Sequence, residues 1–211
     1  GRYQNLTDDF SAQINAFKQA EADIMVGIPI PPDFTTFWTQ AKQQGFNPKM
    51  VSVAKALLFP ESVAALGELG HNMTCEVWWS PNHPYTSSLT GQSCADLAGE
   101  FEDYAKRQWT MPLGFVHALF EVALDAIKRA DDPTDGDEMA ELIGATSLDT
   151  AVGKIEWNRD NVPPFAQKNI SKTPLVGGQW RMQDDGTFDL VIVENGLAPE
   201  IPLTGELETL S

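Results

Sequence analysis

The first 79 residues alternate short apolar strands with helical stretches, and this alternation constrains the fold more than any other feature of the sequence. Strands are predicted at 23–28, 50–54 and 74–79, with helices at 8–22, 32–44 and 60–69. Parallel strands need long crossover connections, which helices usually provide. The sequence therefore predicts the α/β class, with a parallel sheet covered by helices on both faces.

A stiff loop should separate the first strand from the helix that follows it. Pro29, Ile30, Pro31 and Pro32 follow the strand directly, and a proline-rich run cannot continue a ladder or a helix interior. Proline is favoured in the first turn of a helix, so Pro32 suits the start of the next one. We expect an apolar loop at the carboxyl end of this strand.

The alternation stops after Trp79, and the chain is expected to cross there into a second core. Residues 80–93 are rich in Ser, Thr, Pro and Gly, which indicates a loop. Helices are then predicted at 94–107, 112–129 and 137–144, followed by strands at 151–157, 169–172, 175–182 and 187–193. Asp184, Asp185 and Gly186 predict a hairpin turn between the last two strands. The segment 184–211, with seven acids and no Lys or Arg, is predicted to be surface-exposed.

Charge and hydropathy disfavour several classes of partner. The chain has 14 Lys and Arg against 30 Asp and Glu, a formal charge of −16, so nucleic acid and anionic membranes would be repelled. It has no apolar run of eighteen residues and no signal-peptide pattern near residue 1, which predicts a soluble segment. We expect no nucleic-acid partner.

The sequence offers little support for catalysis. Gly91-Gln92-Ser93-Cys94-Ala95 approaches the nucleophile elbow of hydrolases, but polar residues precede it where a buried strand is needed. Ser93 is better explained as a helix cap, and His117 as a packing histidine in an apolar helix. Phosphate loops, dinucleotide motifs and metal-ligand spacings are missing, so we predict a non-enzyme without cofactor or metal. A hydrolase built on Ser93 stays as a minor alternative.

Lys55 and the two cysteines each allow more than one interpretation. Lys55 follows an apolar strand directly, and ligands of open α/β sheets bind at the carboxyl ends of strands. It is either a ligand contact or a solvated lysine. Cys75 and Cys94 match no metal or redox spacing, so they are either unpaired buried thiols or one disulfide.

Three segments together resemble a known family. The order 8–14, then Trp38–Phe46 ending in Gln-Ala-Lys-Gln-Gln-Gly-Phe, then Leu148–Ile155 far downstream resembles ABC-transporter solute-binding proteins of the branched-chain amino acid (Leu/Ile/Val-binding, type I periplasmic) family. The resemblance implies two Rossmann-like lobes with parallel sheets, a small ligand in the interlobe cleft and a membrane permease as partner. It also implies a carboxyl-terminal portion: 1–79 as most of lobe two, 80–145 as returning lobe-one helices, and 146–211 as crossing and terminal strands.

The resemblance further implies a missing amino-terminal part, in the same polypeptide or as a separate chain, and an exported, periplasmic or extracellular protein. An oxidising compartment favours a Cys75–Cys94 disulfide. A ligand-sensing domain of a signalling or regulatory protein is the alternative function. It would need an attached DNA-binding or membrane domain.

Carried over position by position, the family's ligand contacts fall on Pro29, Ile30 and Pro31 and on Ala54 or Lys55. Phe115, at the start of a returning lobe-one helix, is expected to close the far side of the cleft. Two of these positions depart from the family pattern. Pro29-Ile30-Pro31 stands where an aromatic contact is expected, and Ala54 or Lys55 where an acid would meet the ligand ammonium. A lysine there favours a carboxylate. The ligand is thus expected to be a small organic acid, aromatic acid or amide before an amino acid such as leucine.

Overall fold

The computed structural model describes residues 3–157, 162–168 and 170–210. The helices are α1 Ser11–Gln19, α2 Pro31–Gln43, α3 Pro60–Ala64, α4 Cys94–Ala105, α5 Pro112–Arg129 and α6 Gly136–Gly144, with a 3-10 turn at Gly67–Gly70. The strands are β1 Ile24–Gly27, β2 Met50–Val53, β3 Thr74–Val77, β4 Ser147–Thr150, β5 Gly153–Glu156, β6 Val176–Met182 and β7 Phe188–Glu194. The predicted α/β class is confirmed.

The chain forms two compact units. Unit 1 contains the residues up to Val77, Val176–Gly196 and the residues from Leu203 onward, and unit 2 contains Trp78–Leu175 and Leu197–Pro202. The assignment of 1–79, 80–145 and 146–211 to parts of two lobes stays a prediction.

Unit 1 is built around a five-stranded sheet in the order β1-β2-β3-β6-β7. Strands β1, β2 and β3 run parallel, as predicted, whereas β6 and β7 are antiparallel additions. The predicted turn at Asp184–Gly186 joins β6 to β7, and Gly186 takes the positive φ of 83° that such a turn favours. The carboxyl ends of β1, β2 and β3 therefore lie side by side at one end of the sheet, which we call its carboxyl edge.

Aromatic side chains of α2 fill the core on one face of this sheet. Phe34, Phe37 and Trp38 are buried, and Trp38 Nε1 donates to the Leu69 carbonyl at 3.0 Å. Trp180 of β6 is also buried, and its Nε1 donates to the Leu57 carbonyl at 2.9 Å. Both indoles thus combine a large apolar burial with a satisfied polar atom.

Strand β1 forms a free edge of the sheet. Its partner on one side is β2, and on the other side no strand pairs with it among the described residues. Ile24, Val26 and Ile28 are 61%, 74% and 77% exposed. An unpaired edge with exposed apolar side chains is a surface that folded proteins normally cover.

The acidic segment after β7 is attached to unit 1 through its backbone. The Gln179 side chain is fully buried, and its Nε2 donates to the Glu208 carbonyl at 2.8 Å while its Oε1 accepts from Glu208 N at 3.0 Å. Leu210 N donates to the Lys49 carbonyl at 2.9 Å. We call residues 204–210 the strap. Its side chains are largely exposed and its backbone is fixed to unit 1. The prediction that all of 184–211 is surface-exposed is wrong for β7, where Phe188, Leu190 and Ile192 are buried because they face the core.

Unit 2 combines three helices with the β4–β5 hairpin. The predicted cap at Ser93 is confirmed: Ser93 and Asp96 form a reciprocal capping box at the start of α4. Trp79 is fully buried against the first turn of α5, where a Cβ on Gly114 would lie 2.3 Å from the indole. The glycine is what allows this close approach. Strand β4 was not anticipated, and the strand predicted at 169–172 is wrong for 170–172, with Asn169 outside the described residues.

The predicted Cys75–Cys94 disulfide is wrong. Both cysteines are unpaired and buried, Cys75 in β3 of unit 1 and Cys94 at the start of α4 in unit 2. The Cys94 Sγ instead donates to the Ala151 carbonyl at 3.3 Å. Each thiol is enclosed by the core of its own unit, and burial raises the pKa of both.

Candidate functional site

The turn that follows β2 places Lys55 at the carboxyl edge of the unit 1 sheet. Lys55 has a φ of +64°, an uncommon backbone conformation for a residue other than glycine. Its N–H donates to Glu76 Oε1 at 3.3 Å, and Ala54 N donates to the Gly27 carbonyl at 3.0 Å. These bonds hold the turn after β2 against both neighbouring strands.

The ammonium group of Lys55 is exposed and carries an unpaired charge among the described residues. Its side chain is exposed, and within the described ranges no ion pair joins its ammonium group to an acid. The nearby Glu76 is half-buried on β3 and uses its Oε1 for the Lys55 backbone rather than for the ammonium group. This edge of the sheet therefore offers a cation and an anion that do not neutralise each other directly.

Glu76 is a polar group of this edge that the sequence interpretation missed. The alternation of strands and helices predicts a third strand at 74–79 but gives no role to its single acid. An acid within an otherwise apolar strand was the available signal, because a charged residue is rarely placed in a strand interior without a partner.

Pro29, Ile30 and Pro31 form a short, half-buried apolar wall after β1. Helix α2 begins at Pro31, so the loop is shorter than predicted, and Ile30 is the N-cap with its carbonyl accepting from Phe34 N at 3.1 Å. Two prolines and a helix start leave this wall little conformational freedom. Pro29 also borders a cavity of about 410 Å³ in unit 1, lined mainly by aromatic and aliphatic side chains of α1, α2 and β1.

Phe115 lies in the first turn of α5 in unit 2. It is half-buried, and its ring meets Trp78 edge-to-face, with centroids 5.9 Å apart and an interplanar angle of 80°. Trp79, which follows Trp78 in the sequence, points into the core, because neighbouring residues of an extended chain face opposite sides. The structure brings Pro29, Ile30, Pro31 and Lys55 to one sheet edge in unit 1, and it pairs Phe115 with Trp78 in unit 2.

The serine and histidine side chains serve local structure. Ser93 caps α4, and the Oγ of the buried Ser87 lies 2.7 Å from His117 Nε2 and accepts from two backbone N–H groups of its own loop. His83 is buried with its Nδ1 2.9 Å from Ser80 Oγ, and burial lowers its pKa to about 4. These contacts fix loops.

Metal binding and membrane insertion each need a recognisable arrangement of residues, and neither arrangement is found in the described part of the chain. There, no group of three or more His, Cys, Asp or Glu residues is arranged to hold a metal ion. No helix in those ranges is both long and apolar enough to cross a membrane.

Residues 1–168 match the family model for periplasmic binding proteins, which is well over half of the chain. This chain belongs to the periplasmic binding protein family. Membership supports a solute-binding role. A comparison with curated proteins gave no match.

Solved structures place the chain in the same fold. It is similar to the leucine binding protein LivK of Thermotoga maritima, at 18% identity and a TM-score of 0.72, covering 92% of this chain and 51% of that one. It is also similar to LivJ of Streptococcus pneumoniae in complex with isoleucine, at 12% identity and a TM-score of 0.65 over 91% of this chain and 50% of the other. A solute-binding protein of R. palustris in complex with benzoate matches at 12% identity and a TM-score of 0.59, over 91% and 50% of the two chains. The chain thus spans about half the length of these structures.

Proposed function

We propose that this chain is the carboxyl-terminal part of an extracytoplasmic solute-binding protein that captures a small carboxylate-bearing molecule for an ABC importer. The observation that carries the proposal is Lys55: an exposed ammonium group on a left-handed turn at the carboxyl ends of parallel strands, beside a rigid apolar wall. Binding pockets combine apolar walls with a few oriented polar groups in this way.

The charges at this edge favour a carboxylate on the ligand. Lys55 attracts an anion, whereas an ammonium group would have to approach Glu76, which is half-buried and already accepts a hydrogen bond. Organic acids and aromatic acids fit this arrangement most directly, an amino acid also carries the carboxylate of the proposed class, and a neutral amide fits less well. Leucine, isoleucine and benzoate, named for the similar structures, all carry a carboxylate.

Phe115 is proposed as a ligand contact contributed by unit 2. Its half-buried ring in the first turn of α5 supplies an apolar surface, and the Trp78 ring keeps it in position. Pro29, Ile30 and Pro31 are proposed as contacts of unit 1 with the apolar part of the ligand, and Lys55 as the contact with its acid group.

An amino-terminal part of the same protein, in one polypeptide or as a separate chain, is proposed to complete both units. The free edge of β1 and its exposed Ile24, Val26 and Ile28 support an added strand in unit 1. In unit 2, Leu119 and Phe120 of α5 are 69% and 60% exposed, which supports a covering element on that helix. A membrane permease would be the partner of the whole protein.

The proposal is tested by titrating the intact protein with benzoate, leucine and benzamide in a calorimeter. Lys55→Met should weaken carboxylate binding by about 10- to 150-fold, the equivalent of losing a charge-assisted hydrogen bond. The neutral benzamide should lose much less. Lys49→Met is the matched control, because Lys49 is an exposed lysine that directly precedes β2, at the end opposite to Lys55, and pairs with Asp23. A wild-type protein that binds neither benzoate nor leucine would refute the proposal.

A further inference from the structure

Two neighbouring tryptophans at the start of unit 2 have different surroundings. Trp79 is fully buried, with its indole against Gly114 and its ring 5.8 Å from that of Trp109. Trp78 is half-buried and meets only the ring of Phe115 among the described aromatic contacts. Trp79 therefore anchors the start of α5, and Trp78 is not needed for that purpose.

The contact between Gly114 and the Trp79 indole fixes the geometry of the more exposed pair, Trp78 and Phe115. Gly114 immediately precedes Phe115, and its contact with the Trp79 indole is closer than any residue with a Cβ would permit. The first turn of α5 is thereby held in one register against the segment that carries Trp78. The two rings form an edge-to-face corner that is preorganised rather than free to adapt.

The corner has the properties of a contact for a flat apolar group. Phe120, further along α5, is exposed too, but no ring pairs with it in the described part of the chain. An aromatic ligand can stack on one ring of such a corner and place its edge against the other, which an aliphatic group of equal size cannot do. Both rings are partly exposed, so neither is enclosed by the core of unit 2.

The geometry points to Trp78 and Phe115 as specificity-determining residues that select a ligand with an aromatic ring. This inference rests on the proposed function, because it assumes that the protein binds a small carboxylate-bearing molecule. It adds Trp78 to the contacts and narrows the ligand class to aromatic acids.

The test compares benzoate with cyclohexanecarboxylate, which has the same acid group and a similar size but no aromatic ring. Their dissociation constants are measured on the intact protein by calorimetry for the wild type, Trp78→Leu, Phe115→Leu and the control Phe120→Leu. The wild type should prefer benzoate, and the preference should fall by about 3- to 10-fold in the first two variants. Phe120→Leu should retain it. Thermal melting checks folding, and Phe115→Leu decides alone if Trp78→Leu does not fold.

The outcomes separate the inference from the proposed function. Carboxylate binding without a preference for benzoate, or a preference that Trp78→Leu and Phe115→Leu leave unchanged, overturns the aromatic selection and leaves solute binding intact. A wild-type protein that binds neither acid, nor leucine, refutes the proposed function and the inference with it. An equal loss of preference in Phe120→Leu also overturns the assignment to this corner.

Discussion

Replacing Gly114 by alanine should destabilise the protein, although alanine is the better helix former. Gly114 is the third residue of α5, and an added Cβ would lie 2.3 to 2.5 Å from three atoms of the Trp79 indole. These atoms belong to a rigid, fully buried ring, so the clash cannot be relieved by turning a flexible side-chain end. Overpacking of this kind costs about 1–3 kcal/mol or more.

The helix offers partial compensation. Alanine is favoured over glycine in a helix interior by about 1 kcal/mol. Gly99 in α4 provides a matched control, because it is exposed and an added Cβ would meet nothing within 4 Å. Gly99→Ala should therefore stabilise by about 0.5–1 kcal/mol. The propensity gain is common to both variants, so they should differ by the overpacking cost alone, about 1–3 kcal/mol or more.

The assay is urea unfolding of the intact protein, followed by tryptophan fluorescence, with both variants measured beside the wild type. Adding Trp79→Leu to Gly114→Ala supplies a second comparison, because removing the ring should make the added methyl group nearly harmless. Equal stabilisation by Gly114→Ala and Gly99→Ala would refute the packing argument. So would an unchanged penalty for the methyl group once the indole is gone.

Three further results are expected. Gln179→Ala should cost about 1–3 kcal/mol and speed hydrogen exchange in the strap, because it leaves the backbone groups of Glu208 without partners. The pKa of His83 is lowered to about 4 in the folded protein, so as the pH falls the histidine is protonated in the unfolded chain first. Up to about 3 kcal/mol of the free energy of unfolding should therefore be lost between pH 6.5 and 4. His83→Asn should flatten this part of the dependence of stability on pH. Thiol titration of the denatured, unreduced protein should detect both Cys75 and Cys94 as free.

Each result has a matching contradiction. Gln183→Ala removes a comparable amide from an exposed position and should leave exchange in the strap unchanged, so equal effects of the two variants would contradict the role of Gln179. If the free energy of unfolding of His83→Asn depends on pH as that of the wild type does, other groups cause the loss of stability at low pH. A titration that finds no free thiol before reduction would restore the disulfide.

The strands and helices of unit 1 were predictable because their hydrophobic spacing is strong. Phe34, Phe37 and Trp38 recur at helical spacing and form the buried face of α2. Strand β4 was missed because its sequence, Ser-Leu-Asp-Thr, contains one apolar residue and its burial is low over three of four positions. Such a strand depends on its partner β5, which the local sequence does not reveal.

The site was predictable only in part, since some of its features depend on contacts distant in sequence. The position of Lys55 after β2 followed from the alternation of strands and helices, but its left-handed conformation depends on Glu76, 21 residues away. The prediction of a Cys75–Cys94 disulfide was wrong for a related reason. Compartment and spacing gave no information on which core encloses each thiol, whereas the structure places Cys75 and Cys94 in different units.

The discontinuity of unit 1 has a consequence for synthesis. Strands β1, β2 and β3 are made early, but β6, β7 and the strap that complete their sheet come after nearly the whole of unit 2. A chain emerging from the ribosome must hold the first three strands without their antiparallel neighbours until about a hundred more residues have been added. Unit 2 can begin to fold during that interval, whereas unit 1 cannot close until Leu210 reaches Lys49. Chains that stop short of the strap should therefore be the ones that proteases and chaperones encounter most often.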